Sequence, residues 1–283
     1  MRILRIGLAQ VRQTADFDEN VKTVFRFLDE AAKAKVQILC FPETHVVGYR
    51  VDITPADAAV EPDRLNEVNW TVAKRCGELG IACILGTETP LESDPLEGKP
   101  YNSAVVCSPQ GQILAVHHKT RLTPLDATVY TPGTTFEVVE LFGVKVGVVI
   151  CFEGFRFPGT TRACVAQGAQ IVFHPQSNTT RPNDWKIPIH HAMITTRAAE
   201  NTIWFASSNM CHDHQNCRSL VIAPDGRVHA QADLRREQLL AADIDIDLAT
   251  RAMLEFDTEG CAAVLFADTV RKEEYMTGKA MKE

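Results

Sequence analysis

A chain of 283 residues, 45% of them hydrophobic, can bury a sizeable core, and with no Gly/Ser- or Pro-rich linker and no repeat it reads as one domain. Its formal net charge of −7, with Lys and Arg scattered rather than blocked, excludes the basic footprint of a nucleic-acid binder. The longest apolar run, around 144–152, falls far short of a membrane span, and MRILRIGLAQVRQ turns polar too early for a signal peptide, so the expectation is a cytoplasmic protein with no membrane partner.

Ile3 to Val11 reads as a strand, followed by a helix capped by Asp16 or Asp18 whose apolar face carries Val21, Val24, Phe25, Leu28 and Ala32. Val36 to Phe41 is a short buried strand stopped by Pro42, which cannot donate to a ladder. A helix over 63–79 leads to strands at 81–87, 102–108, 112–119 and 144–151, with a turn at Pro109-Gln110-Gly111. Helices at 159–167 and 185–201 alternate with strands at 171–174 and 203–208, and strands at 219–223, 228–232 and 239–246 complete the pattern. Helices alternating with strands in each half, with meander-like pairs between, predict an α/β fold of mixed sheets covered by helices. The polar tail from Asp268 to Glu283 is expected to be solvated or laid across a partner subunit.

Nine cysteines at irregular spacing, most of them inside apolar runs, read as reduced core residues. Cys151 differs by position. In VGVVICFEGFRFPG a buried strand ends on a thiol at a turn, where free backbone N–H groups favour a thiolate and a developing oxyanion. Glu43 in ILCFPETHVVGY and Lys119 in ILAVHHKTRL also end predicted buried strands, the second with Ile113, Ala115 and His117 on its inward face. A carboxylate, an ammonium and a thiol at three strand ends are a base, a cation and a nucleophile, which is what acyl transfer needs.

FPET around Glu43, HHKTRL around Lys119 and GVVICFEGFRFP around Cys151 resemble, in order and spacing, the three signature segments of the nitrilase superfamily of carbon–nitrogen hydrolases. RAAEN at 197–201, SSN at 207–209 and RSLVIAPDGRV at 218–228 resemble later segments, so the likeness covers nearly the whole chain. It implies a four-layer α-β-β-α sandwich, a homodimer or higher homo-oligomer, and no metal or organic cofactor. It also implies a triad. Glu43 is the general base, Lys119 supplies positive charge to the tetrahedral intermediate, Cys151 is the nucleophile, and the Phe152 backbone N–H completes the oxyanion site. A thiol of ordinary pKa, about 8.5, is expected to rest mostly protonated at neutral pH, with a cation beside Cys151 favouring its thiolate and Glu43 removing the proton.

The family usually places a second glutamate in the loop after the lysine. The corresponding position in DATVYTPG, counted back from Gly133, is Asp126, read either as a shorter stand-in that supports Lys119 or the substrate amine, or as a turn residue without a role. Register with family segments puts Phe152, Glu153, Gln176, Asn178 and Trp185 near the pocket. Arg156 is expected to meet either a substrate carboxylate or framework carboxylates. CHDHQNC, with Cys211, His212, His214 and Cys217, has metal-ligand residue types without C-x₂-C or H-x₃₋₅-H spacing, and reads as a rim or interface loop. The expected activity is hydrolysis of a small linear amide or N-carbamoyl compound through a cysteine thioester. A true nitrilase, or a catalytically silent binding protein, is the alternative.

Overall fold

The computed structural model describes residues 1–55, 60–90, 98–179 and 184–252; the tail at 268–283 and Cys261 lie outside the described residues. In chain order the strands are β1 (Ile3–Gln10), β2 (Ile38–Cys40), β3 (Ala82–Thr89), β4 (Tyr101–Cys107), β5 (Ile113–His118), β6 (Val138–Leu141), β7 (Val144–Val148), β8 (Ile171–Gln176), β9 (Trp204–Asn209), β10 (Leu220–Ile222), β11 (Val228–Gln231) and β12 (Gln238–Asp245). The helices are α1 (Phe17–Lys33), α2 (Pro62–Leu79), α3 (Asp126–Val129), α4 (Phe152–Arg156), α5 (Pro158–Ala166) and α6 (Lys186–Ala199).

Two six-stranded sheets form, ordered β12-β1-β2-β3-β4-β5 and β11-β10-β9-β8-β7-β6. Each has three adjacent parallel strands, β1-β2-β3 in one and β7-β8-β9 in the other, bordered by antiparallel partners. Strand alternation builds the layers. Leu4, Ile6 and Leu8 of β1 face Val146, Phe173 and Trp204 of the second sheet in one inter-sheet core. The opposite face, with Leu39, Cys83, Leu85 and Val105, is covered by Val24, Phe27 and Leu28 of α1 and by Val72 and Cys76 of α2. Helices α5 and α6 cover the second sheet with Cys164, Val165, Ile194 and Ala198. This is the four-layer α-β-β-α sandwich. Among the described residues no helix is long and apolar enough to cross a membrane.

Asp16 caps α1 by accepting from the Glu19 N–H at 3.1 Å, while the buried face is Val24, Phe27, Leu28 and Ala31, turned slightly from the predicted stripe. Ile113 and Ala115, predicted on one face of β5, instead join opposite cores, because a register shift opposite Cys107 reverses the alternation. Strand β6 and helices α3 and α4 were not predicted; each has only four or five residues, too few for a period.

Gly86 of β3 lets the chain after β2 cross close above the sheet. A Cβ there would sit 1.8 Å from the Pro42 carbonyl oxygen, and the Gly86 carbonyl accepts from Val46 N–H at 3.1 Å. Gly86→Ala must therefore push out the backbone that carries Glu43. The expected loss is about 1–3 kcal/mol, read as a lowered thermal unfolding midpoint; an unchanged midpoint would refute this close approach.

Candidate active site

Three strand ends meet at one point. Pro42 stops the chain after β2 and Thr44 follows at φ 46°, which turns Glu43 inward beneath β3. Lys119 leaves β5 with its N–H bonded to the Asn102 carbonyl at 2.8 Å and its carbonyl accepting from Gly133 N–H at 2.9 Å. The extended line of β7 continues through Val149 to Cys151, whose N–H bonds the Pro175 carbonyl at 2.8 Å. There the chain folds sharply into α4.

The Lys119 ammonium is fully buried between two carboxylates, 2.6 Å from Glu43 Oε1 and 2.8 Å from Asp126 Oδ2. Asn102 Nδ2 also donates to Glu43 Oε1 at 2.8 Å, and the Ser177 N–H donates to Oε2 at 3.0 Å. Asp126 accepts the Tyr49 hydroxyl on Oδ1 and the Thr123 N–H on Oδ2. Its own N–H donates to Thr123 Oγ1 at 3.0 Å, a reciprocal cap that roots α3. Asp126 is thus a buried partner of Lys119, not an exposed turn residue. The Cys151 Sγ accepts from Asn178 Nδ2 at 3.4 Å.

With Lys119 charged and both carboxylates ionised, the cluster carries one net negative charge while the thiol is neutral. Burial would lower Lys119, but Glu43, Cys151 and Asp126 more than reverse this and hold it protonated. Asp126 stays below the usual carboxylate range, because Lys119 and the Tyr49 hydroxyl outweigh the cost of its burial. Burial pushes Glu43 up, Lys119 pulls it down and Asp126 pushes it up again, leaving it raised. Burial followed by Glu43 raises the Cys151 thiol well above its ordinary value, with Lys119 opposing. The cation expected to favour a thiolate gives Cys151 limited help, because the one ammonium is already claimed by two carboxylates, and the thiol stays raised beside Glu43.

Cys151 has φ 47° and ψ −106°, a strained setting for a non-glycine residue, and α4 begins at the next residue. Glu153 secures that bend. Its Oε1 accepts from the N–H and hydroxyl of Thr120, and its Oε2 accepts from Ile150 N–H and from His117 Nε2. The residue after Lys119 is thereby tied to the residue before Cys151.

A cavity of about 460 Å³ reaches Cys151 and is lined also by Tyr49, Phe152, Phe155, Arg156, Asn178, Lys186 and His190. Phe152, Arg156 and Asn178 therefore meet the cavity as expected from register. Glu153 and Gln176 do not, since both side chains are buried in framework hydrogen bonds. Trp185 stands outside the lining and supports Arg156, whose guanidinium lies 5.3 Å over its ring. No carboxylate pairs with Arg156 among the described residues. A larger cavity of about 590 Å³, bordered by Trp204, Arg227, His229 and Asp243, has no cysteine, serine or lysine in its lining. Chemistry, not size, selects the smaller one.

Cys211 is buried beside β1, with its N–H on the Val11 carbonyl at 2.7 Å, and Cys217 Sγ accepts from Gln176. Among the described residues no group of three or more His, Cys, Asp or Glu is placed to hold a metal. Sequence reasoning missed Tyr49, Asn102 and His174. Each is a polar residue that spacing cannot separate from a solvated one.

The carbon–nitrogen hydrolase family model matches residues 5–253. The chain belongs to that family. The omega-amidase NIT2 of Xenopus tropicalis is 28% identical over 263 residues, covering 87% of this chain and 90% of that protein. An (R)-stereoselective amidase of Pseudomonas sp. is 29% identical over 226 residues, covering 78% and 77%. A nitrilase of Pyrococcus abyssi is 26% identical over 283 residues, covering 96% and 99%. An amidase from Nesterenkonia sp. shares the fold, with a TM-score of 0.74 at 24% identity over 87% of this chain and 92% of that one.

In this carbon–nitrogen hydrolase the charge arrangement has consequences that kinetics can read. Glu43→Gln should lower turnover by roughly 10²–10⁴-fold, the worth of a general base, with the fold retained; near-normal turnover would remove Glu43 from that role. The acid limb of kcat/KM, set by ionisation of Glu43, should lie above its ordinary 4.5. Asp126→Asn deletes a negative charge that pushes Glu43 up, so the limb should move to lower pH while the plateau falls roughly ten- to a thousandfold. A limb that stays in place would show that Asp126 is not coupled to the base.

Proposed function

We propose that the chain hydrolyses the C–N bond of a small linear amide or N-carbamoyl compound through a cysteine thioester, releasing ammonia or an amine. One observation carries the reading: a thiol lining a cavity lies within the influence of a carboxylate that is itself paired to a buried ammonium 2.6 Å away. Relatives named as amidases and an omega-amidase support it.

In the proposed sequence Glu43 takes the thiol proton as sulfur attacks the carbonyl carbon. The electron pair displaced onto oxygen is met by the Lys119 charge and by the Phe152 N–H at the start of α4. Glu43 then protonates the departing nitrogen, and the thioester remains. Water, deprotonated by the same carboxylate, releases the acid. Asp126 holds Lys119 in place and takes no proton. Every step is completed by groups of this chain and water.

Arg156 and Lys186 both line the cavity, against one acid, Asp52, which the Thr179 hydroxyl engages. The balance favours a substrate with an anionic far end. A nitrilase relative keeps a second reading open, attack of the same thiol on C≡N. Assembly into a homodimer or larger oligomer belongs to this reading too. Exposed Trp185, Ile187 and Ile189 near the start of α6 are apolar surface that assembly would cover. So does a cytosolic setting, where a thiol nucleophile stays reduced.

A panel of amides, carbamoyl compounds and nitriles, each with and without a terminal carboxylate, tests these points by ammonia release. Amides are expected to turn over and nitriles not. Cys151→Ala should abolish release, and Arg156→Ala should raise KM for the carboxylate-bearing members with little change in kcat. Activity persisting in Cys151→Ala would overturn the mechanism.

A further inference from the structure

We infer that Asn178 is a catalytic residue whose side-chain N–H steadies the Cys151 sulfur as it loses its proton, and that a closed hydrogen-bond circuit through Gln176, Ser207 and His174 holds the amide in that orientation. The inference rests on the acyl-transfer reading above.

Four side chains form the circuit. Asn178 Nδ2 lies 3.4 Å from Cys151 Sγ and 2.8 Å from Gln176 Oε1. Gln176 Nε2 lies 2.6 Å from Ser207 Oγ, which lies 2.9 Å from His174 Nδ1. His174 Nε2 lies 2.8 Å from the backbone carbonyl of Cys151. The path begins on the nucleophile's sulfur and returns to the same residue's backbone.

Elementary valence sets its direction. A carbonyl oxygen only accepts, so His174 Nε2 carries a proton. Burial pushes His174 down to about 4, so the ring is neutral near pH 7 and its Nδ1 accepts. Ser207 must then spend its single proton on Nδ1, and its oxygen accepts from Gln176. With Gln176 Nε2 donating there, and also toward Cys217 Sγ at 3.8 Å, its Oε1 faces Asn178. An acceptor facing Asn178 requires the amide nitrogen on that side. One of its two protons goes to Gln176 Oε1, and the other is left for the sulfur. A flipped Asn178 would set oxygen against oxygen.

The main chain fixes the amide's base. Asn178 N–H donates to Asn209 Oδ1 at 2.9 Å, and its carbonyl accepts from Asn209 Nδ2 at 3.2 Å. Next to it, the Ser177 N–H holds Glu43 Oε2. The end of β8 thus presents one donor to the base and the next to the nucleophile.

The attack step needs such a donor. The S–H bond breaks and its proton goes to Glu43. The sulfur's electron pair forms the bond to the substrate carbonyl carbon, and the C=O π pair moves to oxygen. Between proton loss and bond formation the sulfur carries the negative charge that Glu43 has given up, while Lys119 stays paired with Asp126, so the cluster remains at −1 with its charge now on sulfur. A hydrogen bond to the charged form favours it, and Asn178 supplies one without adding charge.

The test is the rate of Cys151 alkylation by iodoacetamide against pH, read by peptide mapping, alongside kcat/KM for the best amide found. Asn178→Ala should raise the alkylation midpoint by about one to two pH units, the worth of a hydrogen bond to a charged group. It should also lower kcat/KM roughly 10–100-fold with an unchanged unfolding midpoint. Gln176→Leu should produce part of both effects, and the double variant should be no worse than Asn178→Ala alone, since Gln176 acts through Asn178. Should Gln176→Leu fail to fold, Ser207→Ala opens the same circuit one bond further on and takes its place in the cycle. A wild-type midpoint in Asn178→Ala would overturn the catalytic role, and effects that simply multiply would overturn the circuit. The midpoint is read without substrate, so the two failures are distinguishable: no ammonia from any amide defeats the functional reading, and an unmoved midpoint defeats the hydrogen bond to sulfur.

Discussion

A protonated lysine buried to the last atom is the constraint around which the molecule is arranged. Placing one ion of that size in a low-dielectric interior costs several kcal/mol even after relaxation. Two carboxylates at 2.6 and 2.8 Å offset the cost for Lys119, but they create another, because two anions now share one cation. The structure resolves the imbalance unequally. Asp126 is held ionised by Lys119, Tyr49 and the Thr123 N–H, whereas Glu43 receives Asn102 and the Ser177 N–H and stays raised. One acid is held as an anion and the other is left raised, and the difference lies in their partners rather than in the carboxyl group itself.

That arrangement depends on the fold because none of the participants is a sequence neighbour of another. Parallel strands bring their ends to the same side of a sheet, and two sheets packed face to face bring two such sets together. Glu43 leaves the first sheet after β2 and Lys119 after β5, while Cys151 and Ser177 follow β7 and β8 of the second. The inter-sheet core beneath them fixes the separation. Glu153 then bridges the two sheets at that edge, binding Thr120 after β5 and Ile150 ahead of Cys151. Pairing Arg50 with Glu88, both buried, does similar work for the loop that delivers Tyr49 to Asp126.

Much of this was legible in the chain. A proline that ends an apolar run, a charge directly after a buried strand and a thiol at a strand-to-helix turn are local signals with a structural cause, and Glu43, Lys119 and Cys151 carry them. How strongly the site opposes ionisation of Cys151 was not legible. A nearby cation can be guessed from a motif, but its prior commitment to two carboxylates and the depth of burial are properties of the packed site. Glu153 shows the same limit: its position two residues after Cys151 suggests a pocket, yet the direction of its side chain depends on a backbone at φ 47° that no pattern encodes. Strand β6 and helix α3 escaped because four residues give neither period nor cap enough to stand out. The reversal of faces in β5 escaped because a bulge breaks the alternation that strand reading assumes.

Asp126 joins these points. A carboxylate one methylene shorter than the usual family residue still reaches the ammonium, because it is brought to it: the reciprocal bonds with Thr123 wind residues 126–129 into a single helical turn, and that turn, rather than side-chain length, covers the distance. Tyr49 then takes the other oxygen, so both are engaged and the carboxylate has one orientation. A longer glutamate on the same turn would have to bend back or displace Lys119, and any shift of that ammonium is felt by Glu43 through their shared bond. The length of this residue and the shape of its turn are therefore one property, and substitution at 126 tests the backbone as much as the charge.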